Sequence, residues 1–204
     1  MRFYKFRKWQ QWFYPNAIFD IYQKNKCGKN IYLTFDDGPT PDVTRKLLDL
    51  LDIYNAKATF FCIGGKVKKH PELYQDIIDR GHSVGNHSMT HLNGFKTSSK
   101  KYIADILEAE KHIKSNLFRP PYGKCTPKQH KKLTELGFQT IFWSYLTYDF
   151  DNTLTPKQRF KNIKQNSKNG SIFVFHESTI VNELDKILNF LRKNNFKTKI
   201  LEHC

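Results

Sequence analysis

With 204 residues, the chain can bury one substantial core but falls short of what two full domains usually need. A hydrophobic content of 39% with 15% aromatic residues excludes a disordered polymer. The 34 Lys and Arg against 19 Asp and Glu leave +15, which favours an anionic partner (nucleic acid, membrane surface or acidic polymer) without choosing among them.

Residues 1–28 read as a basic aromatic segment, in which Arg2, Lys5, Arg7 and Lys8 are mixed with Phe3, Phe6, Trp9, Trp12 and Phe13. Charge and Gln interrupt every apolar run, so the segment lacks the unbroken core of a secretory signal and is too polar to span a bilayer. A cytoplasmic or peripheral-membrane location is the resulting expectation. Two placements are open: the segment lies on an anionic membrane face, or it is a lid whose aromatics cap the bottom of a barrel. Pro15 and an untidy amphipathic pattern favour the lid.

Residues 29–204 read as one domain. Apolar runs at 31–35, 58–63, 82–86, 117–119, 138–143, 171–175 and 196–201 read as seven strands. Helical patterns fill 43–53, 71–80, 101–114, 127–136, 156–168 and 181–193. Thr126-Pro127 and Thr155-Pro156 are N-cap and first-turn signals, and Gly81 and Gly137 are C-terminal caps. Seven strands alternating with six helices imply a parallel α/β sheet with right-handed crossovers, open or closed into a barrel. The four cysteines, Cys27, Cys62, Cys125 and Cys204, include no Cys-x-x-Cys pair and read as unpaired thiols.

Five signals carry chemistry. In Thr34-Phe35-Asp36-Asp37-Gly38-Pro39 a strand ends in two carboxylates before a Gly-Pro turn, where α/β folds keep their sites. Adjacent strand residues point to opposite sides, so the two acids would take different jobs, one binding an ion and one moving a proton. His87 and His91, four apart, would share one face of a helical turn and point at one ion. With Asp37 they make a three-ligand set with open positions, suited to zinc and to other divalent first-row metals, and Asp36 is left as a base. Arg119-Pro120-Pro121-Tyr122-Gly123 would hold Arg119 near an acid and offer the Tyr122 amide as an oxyanion donor. Asp149, just beyond another strand, could hold His176, at the end of an apolar strand, as a protonated acid for a leaving amine. Of the other histidines only His82 lies near enough in sequence to the site to support it.

With these five signals in order, the chain resembles the polysaccharide deacetylases of the NodB-homology group, carbohydrate esterase family 4, over residues 30 to about 201. The resemblance implies a distorted (β/α)7 barrel and metal-dependent hydrolysis of N-acetyl groups, less often O-acetyl groups, on an N-acetylhexosamine glycan such as peptidoglycan, a chitin-like oligomer or an envelope polysaccharide. By matching position it implies Asp36 as base, Asp37, His87 and His91 as ligands of one divalent ion (zinc first, then cobalt, nickel or manganese), Arg119 orienting the base, the Tyr122 amide facing the oxyanion, and His176 as acid tuned by Asp149. Phe150 stands where the family often has Trp and would wall the acetyl pocket. Leu146 stands where it often has Asp. Ile172 and Val174 replace Leu and keep an apolar floor. A monomer is expected. Two rivals are an inactive or non-sugar amide-acting member of the same fold that serves as a glycan-binding module, and a nucleic-acid binder resting on charge alone, for which no recognition motif is present.

Overall fold

The computed structural model describes residues 4–21 and 28–202. The readings of Cys27 and Cys204 as thiols, and Arg2 and Phe3 of the basic segment, lie outside the described residues. Cys62 and Cys125 are free and buried.

Eight strands are present among the described residues: β1 (Lys29–Gly38), β2 (Ala58–Cys62), β3 (Ser83–Asn86), β4 (Leu117–Phe118), β5 (Gln139–Thr140), β6 (Tyr145–Leu146), β7 (Ser171–His176) and β8 (Phe196–Thr198). Every pairing is parallel, and the strands run in the order β5-β4-β3-β2-β1-β7-β6, a curled seven-strand path with β8 attached to β1. The path matches the expected (β/α)7 barrel, but its membership differs from the sequence reading. The run 196–201 supplies β8, which pairs with residues 29–31 of β1, and the seventh strand of the path is Tyr145–Leu146.

The helices are α1 (Lys8–Gln11), α2 (Thr44–Ile53), α3 (Gly64–Lys69), α4 (Pro71–Asp79), α5 (Ser99–Glu110), α6 (Pro127–Glu135), α7 (Pro156–Asn166) and α8 (Glu177–Lys193). Thr126 and Thr155 close capping boxes with Gln129 and Gln158, and Gly81 and Gly137 take φ 74° and 86°, the left-handed geometry that ends a helix. No described helix is long and apolar enough to cross a membrane.

The sheet divides two cores. Ile31, Leu33 and Phe35 of β1 face outward onto Leu47, Leu48 and Leu51 of α2 and Leu184, Ile187, Leu188 and Leu191 of α8. Tyr32 faces inward, in the core built on Phe61, Phe118, Phe142, Trp143, Ile172 and Val174. This alternation sends Thr34 and Asp36 into the barrel interior.

Residues 4–21 occupy the gap between β5 and β6. Ile18 bridges Ile141 in parallel, its amide bonding Thr140 O (2.9 Å), while Phe142 N donates to Ile18 O (2.7 Å). On the β6 side Leu146 N donates to Tyr4 O (2.8 Å), and Phe6 packs among Phe19, Phe142 and Trp143. The segment is therefore a wall of the barrel at its seam and not a cap on its bottom: Phe6, Trp9, Phe13 and Tyr14 line the same cavity as Asp36, Asp37 and His176.

Candidate active site

Asp36 and Asp37 end the central strand, yet they do not diverge as strand alternation predicts. The β1–β2 register slips between Asp36 and Gly38, Asp37 takes φ 72°, and both carboxylates line one cavity of about 840 Å³. Asp is among the few residues that tolerate this left-handed geometry.

The two histidines converge without the expected helical turn. Residues 87–91 form an irregular loop after β3, with Ser88 at φ 65° and His91 at φ 58°. Two left-handed residues do what one helical turn would have done. The loop is tied from three sides: Gly64 N and Gly65 N of α3 donate to Ser88 O and Met89 O (2.9 and 3.0 Å), and Ser88 N donates to Asn86 Oδ1 (2.7 Å). Asp105 of α5 accepts from Met89 N, Thr90 N and Thr90 Oγ1 at 2.9, 3.1 and 2.7 Å.

Asp37 Oδ1 lies 3.5 Å from His87 Nε2 and 3.1 Å from His91 Nε2, and one ligand atom from each residue falls within 4.8 Å of the others. The donor set suits a divalent ion on two further counts. Asp37 Oδ1 is buried without a hydrogen-bond partner of sound geometry. His87 Nδ1 sits 2.8 Å from Arg119 O, a carbonyl that only accepts, so Nδ1 carries the proton and Nε2 presents its lone pair to the cluster. Burial pushes the Asp37 carboxyl up, but the nearby His91, His87 and His176 rings outweigh it and hold it far below the usual carboxylate range. Burial lowers His87. Lys66 Nζ donates to the Asp37 carbonyl (2.6 Å) and fixes the bulge from behind.

Beside the cluster, Arg119 is wholly buried and donates through Nη1 to Asp36 Oδ1 (2.8 Å) and Thr34 Oγ1 (2.5 Å), and through Nη2 and Nε to the carbonyls of Phe142 and Ile141. Its guanidinium lies 4.0 Å from the Phe61 ring centroid, so the fork is fixed in every direction. The Pro120-Pro121 turn is buried, not the exposed rigid turn such a dipeptide usually makes. It leaves Tyr122 at φ 59°, its ring 4.5 Å from that of His91.

On the far side, Asp149 accepts from His176 Nδ1 (2.9 Å), His176 N (2.7 Å) and Thr179 Oγ1 (2.6 Å). Burial lowers the His176 imidazole, but Asp149, with Asp36 and Asp37 behind it, raises it to about 9. Phe150 meets His176 edge-on at 4.9 Å and, like Leu146, lines the cavity.

Ile172 does not face the cavity. It is sealed in the inner core two residues earlier on β7, and Val174 takes the place on the floor that the sequence reading gave to both. His82 lies at the opposite end of β3, bonded to Ala58 N, and supports nothing in the site.

Sequence reasoning missed Lys66, Asp105 and Glu177. Glu177 is fully buried behind the bulge, accepts from Thr44 Oγ1 (2.6 Å), and fills the space a Gly38 side chain would need. Only its place directly after His176 hinted at it. The cavity-lining aromatics of residues 4–21 were visible as composition but not as part of the site.

Comparison with known proteins gives the family of the chain. A family model described as polysaccharide deacetylase matches residues 23–141. A peptidoglycan-N-acetylglucosamine deacetylase of Bacillus cereus is 38% identical over 83% of this chain and 84% of its own length. The peptidoglycan-N-acetylmuramic acid deacetylase PdaA of Bacillus subtilis is 32% identical over 89% of this chain and 73% of its own. The crystal structure of the Bc1960 peptidoglycan N-acetylglucosamine deacetylase superposes with a TM-score of 0.83 at 30% identity, covering 91% of each chain. The curled parallel barrel and these likenesses agree: the chain belongs to the polysaccharide deacetylase family.

Proposed function

We propose that the protein is a metal-dependent amidohydrolase that removes the N-acetyl group from an N-acetylhexosamine unit of peptidoglycan or a related glycan. One observation carries this reading: a three-ligand cluster, a buried arginine-held carboxylate and a carboxylate-held histidine line one cavity. The named activities of the B. cereus and B. subtilis relatives support the substrate class and leave glucosamine and muramic acid as the two sugars to compare.

Asp37, His87 and His91 would hold the ion. Two nitrogens and one oxygen suit zinc first, with cobalt, nickel or manganese as substitutes. When bound, such an ion acidifies water and polarises a carbonyl oxygen. Asp36 is the base: Arg119 fixes its Oδ1 and holds the carboxylate toward the cavity, where it takes the proton of the attacking water. The Tyr122 amide, set by its left-handed turn, faces the developing oxyanion. His176 is the acid. Asp149 keeps its ring protonated at neutral pH, and the proton passes to the departing amine as the C–N bond breaks. Phe150 and Val174 give the acetyl methyl an apolar surface.

The test is acetate release from N-acetylglucosamine oligomers and from peptidoglycan by zinc-loaded protein. Release that chelation stops and zinc restores is the expected result. Metal-loaded protein that releases no acetate from either would overturn the reading and favour an inactive glycan-binding member of the fold.

A further inference from the structure

We propose that Trp9 and Phe13 form a binding wall for sugar units of the glycan beyond the one that loses its acetyl group. The inference rests on the deacetylase reading above and deepens it: the site would be built for a chain and not for a single amino sugar.

The six exposed aromatic side chains among the described residues are Trp9, Trp12, Phe13, Phe95, Tyr122 and Phe150, and all but Trp12 line the cavity that holds Asp36, Asp37 and His176. Exposed aromatics gathered in one concavity mark a ligand groove more than a chance surface. At about 840 Å³ the cavity has room for more than one pyranose ring. Tyr122 and Phe150 stand beside His91 and His176 and serve the unit undergoing chemistry. Trp9 and Phe13, 61% and 53% exposed, belong to the segment at the barrel seam and make no ring contact with the ligand cluster. They are surplus to deacetylation of one unit.

A pyranose ring offers C–H groups on its faces and hydroxyls around its edge. An amphipathic aromatic plane beside hydrogen-bonding side chains matches both. Here Gln10 and Lys124 share the lining with Trp9 and Phe13. The wall is also preorganised. Tyr14 Oη donates to Cys125 O (2.6 Å), Phe13 N donates to Gln10 O (3.2 Å), Gln10 Oε1 accepts from Arg7 N (2.8 Å), and Phe6 anchors the segment on Trp143. These contacts hold the backbone that carries Trp9 and Phe13 before any sugar binds, which confines the ordering cost to the two side chains. A membrane face is the rival use of these residues, but Trp9 and Phe13 line a concavity, whereas Trp12, 90% exposed, is outside it.

The experiment compares wild type, the double variant Trp9→Ala/Phe13→Ala and Trp12→Ala, all full-length and zinc-loaded. It uses the N-acetylglucosamine dimer and tetramer, with acetate release giving kcat/KM and calorimetry giving affinity. The wild type should prefer tetramer to dimer. In the double variant kcat/KM on tetramer should fall about tenfold, a loss of about 1.4 kcal/mol, with a clearly smaller fall on dimer. Trp12→Ala should keep the wild-type preference. A fall by the same factor on both lengths, the mark of a structural defect, would overturn the wall, as would an unchanged preference. So would loss of binding to anionic vesicles in the double variant with length preference intact, which would assign these residues to lipid. If the wild type releases no acetate, the deacetylase reading fails and calorimetry decides the wall by itself. Tetramer binding weakened in the double variant sustains it; equal or absent binding in both proteins overturns it.

Discussion

Arg119 Nη1 lies 2.8 Å from Asp36 Oδ1, with the arginine fully buried and the aspartate nearly so. Two charges withdrawn from water are held by each other and by Thr34 and two carbonyls, so removing one partner strands the other. Arg119→Met should therefore destabilise the protein by about 3–5 kcal/mol in denaturant melts. Asp36→Asn keeps an acceptor for Arg119 but gives up the counter-charge as well as the base, so it should lose stability while remaining folded. It should retain one equivalent of zinc by elemental analysis and lose about 10²–10⁴-fold in kcat. An unchanged rate would remove Asp36 from the role of base.

Asp149 should set the pH dependence of the proposed reaction through His176. A histidine raised from 6.5 to about 9 contributes stability in full below about pH 6.5 and loses it as pH rises through about 9. Activity that needs the protonated ring falls over the same upper range. A bound dication pulls that limb lower, so the comparison is made at equal metal loading. Asp149→Asn removes the main raising contact, and the alkaline limb of kcat should move down by about one pH unit or more while KM changes little. An alkaline limb that stays in place would assign it to another group.

The parts of this fold that the sequence displayed are those where one local pattern decides the outcome. β2 and β7 are continuous apolar runs because both faces of a parallel sheet are covered, and Thr126 and Thr155 announce helix starts without tertiary help. Tyr145–Leu146 was missed because two residues between Ser144 and Thr147 carry no period, and the apolar run 196–201 filled the count of seven in its place. α3 begins with two glycines, poor helix formers present because a Cβ on Gly64 would meet Met89 and Ala109. The spacing of His87 and His91 anticipates that the two rings converge with Asp37, but by a helical turn; the structure reaches the same convergence through left-handed Ser88 and His91, and nothing in Ser88 signals that backbone. Asp105 and Lys66 act from other elements, so only the packed structure brings them to the site.

Behind the bulge, Glu177 leaves a second trace in pH. Burial raises its carboxyl from 4.5 to about 7, so the folded protein holds a proton that the unfolded chain releases earlier, and this group's stabilisation is lost as pH climbs from about 4.5 to 7. Glu177→Gln keeps shape and the bond to Thr44 but cannot ionise. The difference in stability between wild type and variant, measured by urea melts at pH 5 and pH 8, should therefore move in the variant's favour at the higher pH. Gly38→Ala would drive a Cβ into the Glu177 carboxylate and should destabilise by about 1–3 kcal/mol. Adding Glu177→Ala to it should cost less than the sum of the two single changes.

Asp37 Oδ1 lacks a hydrogen-bond partner, and an ion that satisfies it binds the folded state and not the unfolded one. Zinc should raise the melting temperature in a concentration-dependent way, and a chelator should lower it. His91→Ala should abolish the zinc-dependent increment, because two remaining ligands no longer enclose the ion. Asp105 touches no ligand atom, yet its three hydrogen bonds to Met89 and Thr90 set the backbone that delivers His91. Asp105→Ala should consequently weaken zinc binding by about 10–100-fold, read by competition with a chromogenic chelator, while excess zinc restores kcat. A variant with wild-type zinc affinity would mean that the α3 amides of Gly64 and Gly65 hold the loop without help from α5.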